Sequence, residues 1–342
     1  MSKEIKNECP ECHEFDRRGF LRGVGGVAAG VAAGGLTAVP NVQANPNPTA
    51  TRQPRPAEVL IRELFAGLTD DQKDKVVYPW NHKDRGSRYL TRERMYNRPL
   101  GRRIGDVYTQ AQKELVERIL KAMSNGEEGY TKMSRNGTFD GSRNFQSCGA
   151  YIFGDPTGNQ YAYVFSGHHL TVRCDGNTIP GSAFGGPIYY GHSPNGYSRR
   201  NCFYYQTEAV QSVFEALSAQ QRRAAILTGT PGEHERSIQF RDNAAQIRGL
   251  VGSELTRDQL RLVDNVMQKI LSPYRQEDAD EVMQIIRRNG GIENIRLAFY
   301  QDRNANDNAR WHFWRLEGPG FVWNFRVLPH VHTYVNIAVR NS

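Results

Sequence analysis

Cysteine is scarce: the chain holds 5 in 342 residues, too few for a disulfide scaffold. Two of them, Cys9 and Cys12, lie near the start, and the other three, Cys148, Cys174 and Cys202, make no Cys-x-x-Cys metal motif. No apolar run matches the roughly 20 residues a membrane-spanning helix needs; residues 24–39 come nearest and are broken by Gly25, Gly26, Gly30, Gly34 and Gly35. There is no Gly-x-Ser-x-Gly elbow, no His-Glu-x-x-His helix, no Gly-x-x-x-x-Gly-Lys phosphate loop and no dinucleotide Gly-x-Gly-x-x-Gly between a strand and a helix. The commonest hydrolase, metalloprotease and nucleotide-binding readings therefore lose their signatures. Basic charge is plentiful but not concentrated. The net +8 is spread over positions such as Arg62, Arg102, Arg103, Arg199, Arg200, Arg287 and Arg288. A nucleic-acid binder gathers such charge into a stripe with interleaved aromatics, so no nucleic-acid partner is expected. A basic surface facing an anionic envelope is.

What is present begins with a leader. Arg17-Arg18 is followed by Phe20 and Leu21, then by the weakly apolar 24–39, then by Val42-Gln43-Ala44 with small residues at the positions a signal peptidase reads. Charged region, apolar region and cleavage site in that order predict a twin-arginine signal peptide over residues 1–44. The expected route is export of a folded chain by the twin-arginine translocase to the periplasm or beyond, with no membrane span after cleavage. Pro46, Pro48, Pro54 and Pro56 crowd residues 45–56, which reads as a disordered tether before a domain over 57–342. Cys9-Pro10-Glu11-Cys12-His13 has the form of a c-type haem attachment motif. It precedes the twin arginines and would be cleaved off, so no haem is expected. A chain that folds in the reducing cytosol cannot depend on a disulfide; Cys148, Cys174 and Cys202 are read as one pair with an odd thiol, or as three small buried hydrophobes.

Helical spacing of Val59, Leu60, Leu64, Phe65 and Leu68 is followed by a capping box at Thr69-Asp70-Asp71-Gln72. Residues 109–123 form the clearest amphipathic helix, with Leu115, Val116, Ile119, Leu120 and Met123 on one face. The period then switches: 150–153, 160–166 and 170–174 are short, aromatic and β-branched, separated by turn residues, and predict an antiparallel meander. Helices return at 207–217, continuing towards 226, then at 256–271 and 277–288. Strands close the chain at 295–300, 309–316, 320–327 and 330–339, with a hairpin around Glu317-Gly318-Pro319-Gly320. Strand blocks separated from helix blocks predict an α+β fold, antiparallel sheets flanked by helices in one large domain. No internal repeat is evident.

Two histidine groups carry the chemistry. Residues two apart on a strand share a face, so His330 and His332 can offer two imidazoles to one ion, with Tyr334 next along. His168 and His169 fall on opposite faces of a regular strand, so one of them joins a site unless Gly167 permits a bulge. Imidazoles that converge suit copper, iron or zinc, and Glu208, Asp155 or Glu317 are candidate carboxylates to complete the shell. Cys148 and Cys202 lack an adjacent base by sequence. The arginine-rich segment 85–103 reads as a solvated loop or a grip for an anionic ligand.

Several motifs together resemble a known family. Tyr151-Ile152-Phe153-Gly154-Asp155-Pro156, Tyr163-Val164-Phe165-Ser166-Gly167-His168-His169-Leu170, Phe184-Gly185-Gly186-Pro187, Trp314-Arg315-Leu316-Glu317-Gly318-Pro319 and His330-Val331-His332 are similar to the bacterial DUF3500 family over most of the expected mature chain. The resemblance implies no reaction. It points to His168, His169, His330 and His332 as metal positions, with Glu208 and Arg315 second in rank. Asn324 departs from it, standing where an acidic residue is usual, as does the tail after His332. The resulting expectation is an exported metal-dependent oxidoreductase or hydrolase of unknown substrate; the alternative is a non-catalytic envelope protein that binds an anionic or carbohydrate-like ligand.

Overall fold

The computed structural model describes residues 56–87, 89–233, 235–241, 246–301 and 310–340. The expected leader, the Cys9–His13 motif and nearly all of the tether lie outside them.

The elements run in two series of the same kind. The first is α1 (Pro56–Ala66), α2 (Asp70–Val76), β1 (Val77–Tyr78), α3 (Ile104–Val107), α4 (Gln110–Ala122), α5 (Gly126–Ser134), then β2 (Gly149–Asp155), β3 (Gln160–Gly167), β4 (Leu170–Cys174) and β5 (Ile188–His192). The second is α6 (Tyr204–Ala216), α7 (Ala219–Ala225), β6 (Ile226–Thr228), β7 (Leu250–Val251), α8 (Arg257–Leu271), α9 (Gln276–Arg288), then β8 (Arg296–Gln301), β9 (Phe313–Gly318), β10 (Phe321–Arg326) and β11 (Val331–Ile337). All eleven strands form one mostly antiparallel sheet in the order β1-β2-β3-β4-β5-β11-β10-β9-β8-β6, with β7 on β8. The order is a palindrome of the two series about the β5–β11 pair. Both outer strands, β1 on β2 and β6 on β8, are the parallel ones. The α+β fold stands, and although no repeat is evident in the sequence, the order of elements recurs in the two halves as a duplicated arrangement.

Polar caps show the duplication most plainly. Thr69 and Gln72 cap α2, Thr109 and Gln112 cap α4, Ser218 and Gln221 cap α7, and Thr256 and Gln259 cap α8, each as a reciprocal capping box. Within each half the two box glutamines clasp each other, Gln72 Nε2 to Gln112 Oε1 at 2.7 Å and Gln221 Nε2 to Gln259 Oε1 at 2.9 Å. Ser218 also explains why the helix expected to continue from 207 towards 226 stops at Leu217 and restarts as α7. Gln259 is buried and serves its own box, its clasp with Gln221 and the Ala216 carbonyl. Gln259→Ala should therefore cost about 1–3 kcal/mol, read as a lower urea midpoint at unchanged slope.

The two faces of the sheet differ in chemistry. Strand alternation sends Trp314, Leu316, Trp323, Phe325, Val331 and Val335 into the large core with the helices. The opposite face of the same strands carries Arg315, Glu317, Asn324, Arg326, His332 and Asn336, all buried. This second face is covered by irregular chain: Arg173 holds the carbonyls of Arg92 and Arg94, and Asn336 holds that of Ile238 at 2.9 Å. Buried polar groups need such partners, and a polar, paired face is where a functional site can form. No helix among the described residues is long and apolar enough to cross a membrane. Cys148, Cys174 and Cys202 are all unpaired thiols. Burial pushes the first to about 11 and the other two to about 12, which disfavours a thiolate nucleophile.

Candidate metal centre

His168 and His169 are the two turn residues of the β3–β4 hairpin, since Gly167 pairs with Leu170. A two-residue turn needs positive φ, and His169 adopts φ 51°. The duplicate hairpin has Pro319-Gly320 at the same place, with Gly320 at φ 71°. An imidazole thus occupies a left-handed position that glycine takes in the other half, at a cost of about 1 kcal/mol or more. Four backbone contacts hold it there. The His168 amide donates to Ser142 Oγ at 2.7 Å and the His169 amide to Asn97 Oδ1 at 2.7 Å. The His168 carbonyl accepts from Arg135 Nη2 at 2.5 Å and that of His169 from the Gly191 amide at 3.0 Å.

The turn, not a bulge, resolves the opposite-face problem of adjacent histidines. The rings lie side by side, centroids 3.9 Å apart, around Asp140. His168 Nδ1 accepts from the Gly141 amide at 3.0 Å and stands 3.4 Å from Asp140 Oδ2. His169 instead sends Nε2 towards β11. One strand, β5, lies between them, so the backbones are about 10 Å apart. The β5 residue opposite His332 is Gly191, and a Cβ there would lie 2.3 Å from the Val331 carbonyl oxygen and 3.0 Å from the His332 ring. Only glycine leaves the imidazoles room to meet.

They meet at Nε2. His169 Nε2 is 3.2 Å from that of His330 and 3.1 Å from that of His332, and the latter two are 2.8 Å apart. An ion that holds nitrogen at about 2.0–2.1 Å separates its ligand atoms by about 2.9 Å at right angles and about 3.4 Å at tetrahedral angles, so the triad has the spacing of a cation site. All three residues are buried. The far nitrogens decide the proton positions. Asp140 takes the Nδ1 proton of His169, and Glu233 Oε1 stands 3.1 Å from His332 Nδ1, with the Tyr334 hydroxyl at 3.1 Å beside it. A carboxylate is an acceptor, so the proton of each ring is assigned to Nδ1. Their Nε2 atoms then face each other as lone pairs. Carboxylate-oriented imidazoles of this kind are the usual support of a metal ligand.

Electrostatics favour the neutral, ligating form. Burial depresses His330 to about 4, helped by Arg326, and the same two causes hold His332 well below its ordinary value. Burial also lowers His169, against the hydrogen bond that its Nδ1 donates to Asp140. Burial alone would raise the Asp140 carboxyl; its hydrogen bonds with His168 and His169 and the nearby His192 outweigh that and keep it ionised. Burial likewise raises Glu233, opposed by Arg326. Arg326 pairs with His332 in the β10–β11 ladder, donates from Nη1 to Glu233, and brings Nη2 to 2.9 Å from His332 Nε2 and 3.2 Å from His330 Nε2.

The triad draws on both halves of the duplication, His169 from the first and His330 and His332 from the second. Of the second-rank positions, Glu208 is exposed on α6 and Arg315 is spent on Glu317, Asn324 and the Ser237 carbonyl. Glu317 pairs with Arg315 and Arg241, and Asp155 bonds Thr157 in the β2–β3 turn. Sequence reasoning missed the carboxylates that do orient the imidazoles, Asp140 and Glu233, because both sit in irregular chain far from the histidines. Arg326 was within reach: pairing the last two strands as a hairpin sets it opposite His332.

No curated protein and no solved structure matches this chain. Residues 55–338 match the family described as a protein of unknown function, DUF3500, so that the duplicated sheet and its histidine centre are those of a chain that belongs to the DUF3500 family.

Proposed function

We propose that His169, His330 and His332 bind one transition-metal ion, zinc, copper or iron, and that the protein is a metal-dependent oxidoreductase or hydrolase of the cell envelope. The observation that carries this reading is the convergence of three buried Nε2 atoms, two of them on rings whose Nδ1 protons are held by carboxylates. Three neutral nitrogen donors leave coordination positions for a substrate, as catalytic rather than structural sites do. The metal would supply Lewis acidity and, if copper or iron, electron transfer. Asp140 and Glu233 fix the ring orientations, and the hydrogen-bonded turn of His168 and the buried His169 keeps the third ligand in place. Export by the twin-arginine route, which the leader motif supports, suits a protein that acquires its metal before crossing.

Elemental analysis of the purified mature chain beside His330→Ala/His332→Ala tests the reading. About one equivalent of metal is expected in the parent and under a tenth of that in the variant. A parent without stoichiometric metal, or a variant that keeps it, would sink the proposal. In that case the imidazoles are acceptors for Arg326 and the basic surface is a binding face for an anion.

A further inference from the structure

Asp140 does more than orient His169. Its carboxylate stands among three imidazoles: His169 Nδ1 donates to Oδ2, His168 Nδ1 lies 3.4 Å from the same oxygen, and His192 Nδ1 lies 3.7 Å from Oδ1. Oδ2 is thus committed to the triad, while Oδ1 faces His192. The residues come from separate pieces of chain. His168 is the first turn residue after β3, His192 is the last of β5, and Asp140 lies between α5 and β2, at φ 51° beside Phe139 at φ 49°.

His192 is held by its backbone, since its carbonyl accepts from Nδ2 of the buried Asn201 at 2.8 Å. Its ring is not held. Nδ1 is buried and among the described residues has no hydrogen-bond partner. A buried polar atom left unpaired costs about 1–3 kcal/mol, and such an atom is where an ion or a water belongs. At 3.7 Å the Asp140 oxygen is too far for a hydrogen bond but well placed to share an ion. Two ligand atoms each about 2.1 Å from an ion stand about 3.4 Å apart at tetrahedral angles and about 3.6 Å apart at trigonal ones. His168 Nδ1 already serves as an acceptor, for the amide of the exposed Gly141 at 3.0 Å. An ion would take over that lone pair and leave the amide to water. No internal cavity is needed, because the side chains of His168, His192 and Asp140 keep 24, 20 and 14 % of their exposure.

We propose that Asp140, His168 and His192 form a second site for a divalent transition-metal ion, on the Nδ1 side of His169, with zinc as its simplest occupant. Two imidazoles and one carboxylate suit such an ion, and water completes its shell. His169 Nδ1 lies in the same group of atoms, but its proton is on the Asp140 side, which leaves it out of the ligand set. The site shares no ligand with the triad and so does not depend on the metal reading above. Asp140 joins the two, one oxygen orienting a triad imidazole and the other holding the second ion. Because solvent reaches it, the second ion exchanges and is lost on desalting; the single equivalent expected of the purified chain belongs to the triad.

The test is equilibrium dialysis of the mature chain, stripped with a chelator, against excess zinc, with zinc per chain as the readout and circular dichroism as the check of folding. The parent should hold two equivalents, His168→Gln/His192→Gln one, and His330→Ala/His332→Ala one. Two equivalents in both the parent and His168→Gln/His192→Gln overturn the proposal. So does a single equivalent in the parent that His330→Ala/His332→Ala removes, a result that leaves the triad reading intact. A single equivalent that His168→Gln/His192→Gln removes and His330→Ala/His332→Ala keeps supports the second site and overturns the triad reading instead. No uptake by a folded parent overturns both. Should the double variant at 168 and 192 fail to fold, His192→Gln alone decides, since its ring has no hydrogen bond to lose: a ten-fold or greater loss of affinity for the second equivalent supports the site, and an unchanged affinity overturns it.

Discussion

Gly191→Ala is expected to abolish metal uptake and lower stability by about 3 kcal/mol, at the upper end of ordinary overpacking costs. The reason is the position of the new methyl. It would lie 2.3 Å from a backbone oxygen of the neighbouring strand, which no side-chain rotation relieves, 3.0 Å from the His332 ring and 3.4 Å from the Cβ of His169. The β5–β11 ladder must open at the seam between the two halves, and the imidazoles it aligns must part. For a domain of this size that amounts to a fall of roughly 6–12 °C in Tm. Gly158→Ala is the control, because its nearest contact is an ordinary 3.6 Å and its φ is not left-handed; a change within about 0.5 kcal/mol is expected there. Calorimetry with elemental analysis reads both. A Gly191→Ala protein that melts like the parent and keeps its metal would show that the imidazoles do not depend on the gap over β5.

Stability of the metal-free protein should fall steeply between about pH 6.5 and pH 4. The direction follows from the folded state keeping His169, His330 and His332 neutral: each is depressed below its ordinary 6.5, His330 to about 4. Above 6.5 neither the folded nor the unfolded chain protonates these rings, and their contribution is fully present. Below it the unfolded chain binds protons that the folded one refuses, and each histidine removes up to about 1.4 kcal/mol per pH unit until its folded value is reached. Asp140 works in a lower window. Its carboxyl is depressed from 3.8, so its contribution is present above that value and goes only below it. Urea midpoints of chelator-treated protein at pH 7.5, 6.0 and 5.0 measure the fall, and His330→Gln should flatten part of it. A midpoint constant across that range would mean that the three rings are solvated rather than buried.

Much of the local structure was legible because it is written in local rules. The capping box at Thr69 marks a helix start within four residues of sequence, whereas the one at Ser218 passed unread inside the longer helix expected from 207 towards 226, and alternation along 321–326 and 331–337 marks strands whatever they pair with. The duplication was not legible, since what recurs is a pattern of caps, periods and turns on nearly unrelated side chains: Gly167-His168-His169-Leu170 answers Gly318-Pro319-Gly320-Phe321. β5 escaped notice because Ile188–His192 is short and set between glycine-rich segments. It is nevertheless the strand on which the two halves join.

For the centre, the sequence by itself singled out His168, His169, His330 and His332 as candidates and put His330 and His332 on one face, because a strand's two-residue period is a property of the backbone. Only the tertiary structure decided that His169 joins them while His168 turns to Asp140 and Gly141, that Asp140 and Glu233 supply the orienting carboxylates, and that Arg326 Nη2 stands beside the Nε2 atoms of His330 and His332. The physical reason is sequence distance. Strand period and capping act over a few residues, whereas the meeting of three imidazoles depends on strand order and on the missing side chain of a glycine in a strand that contributes no member of the triad.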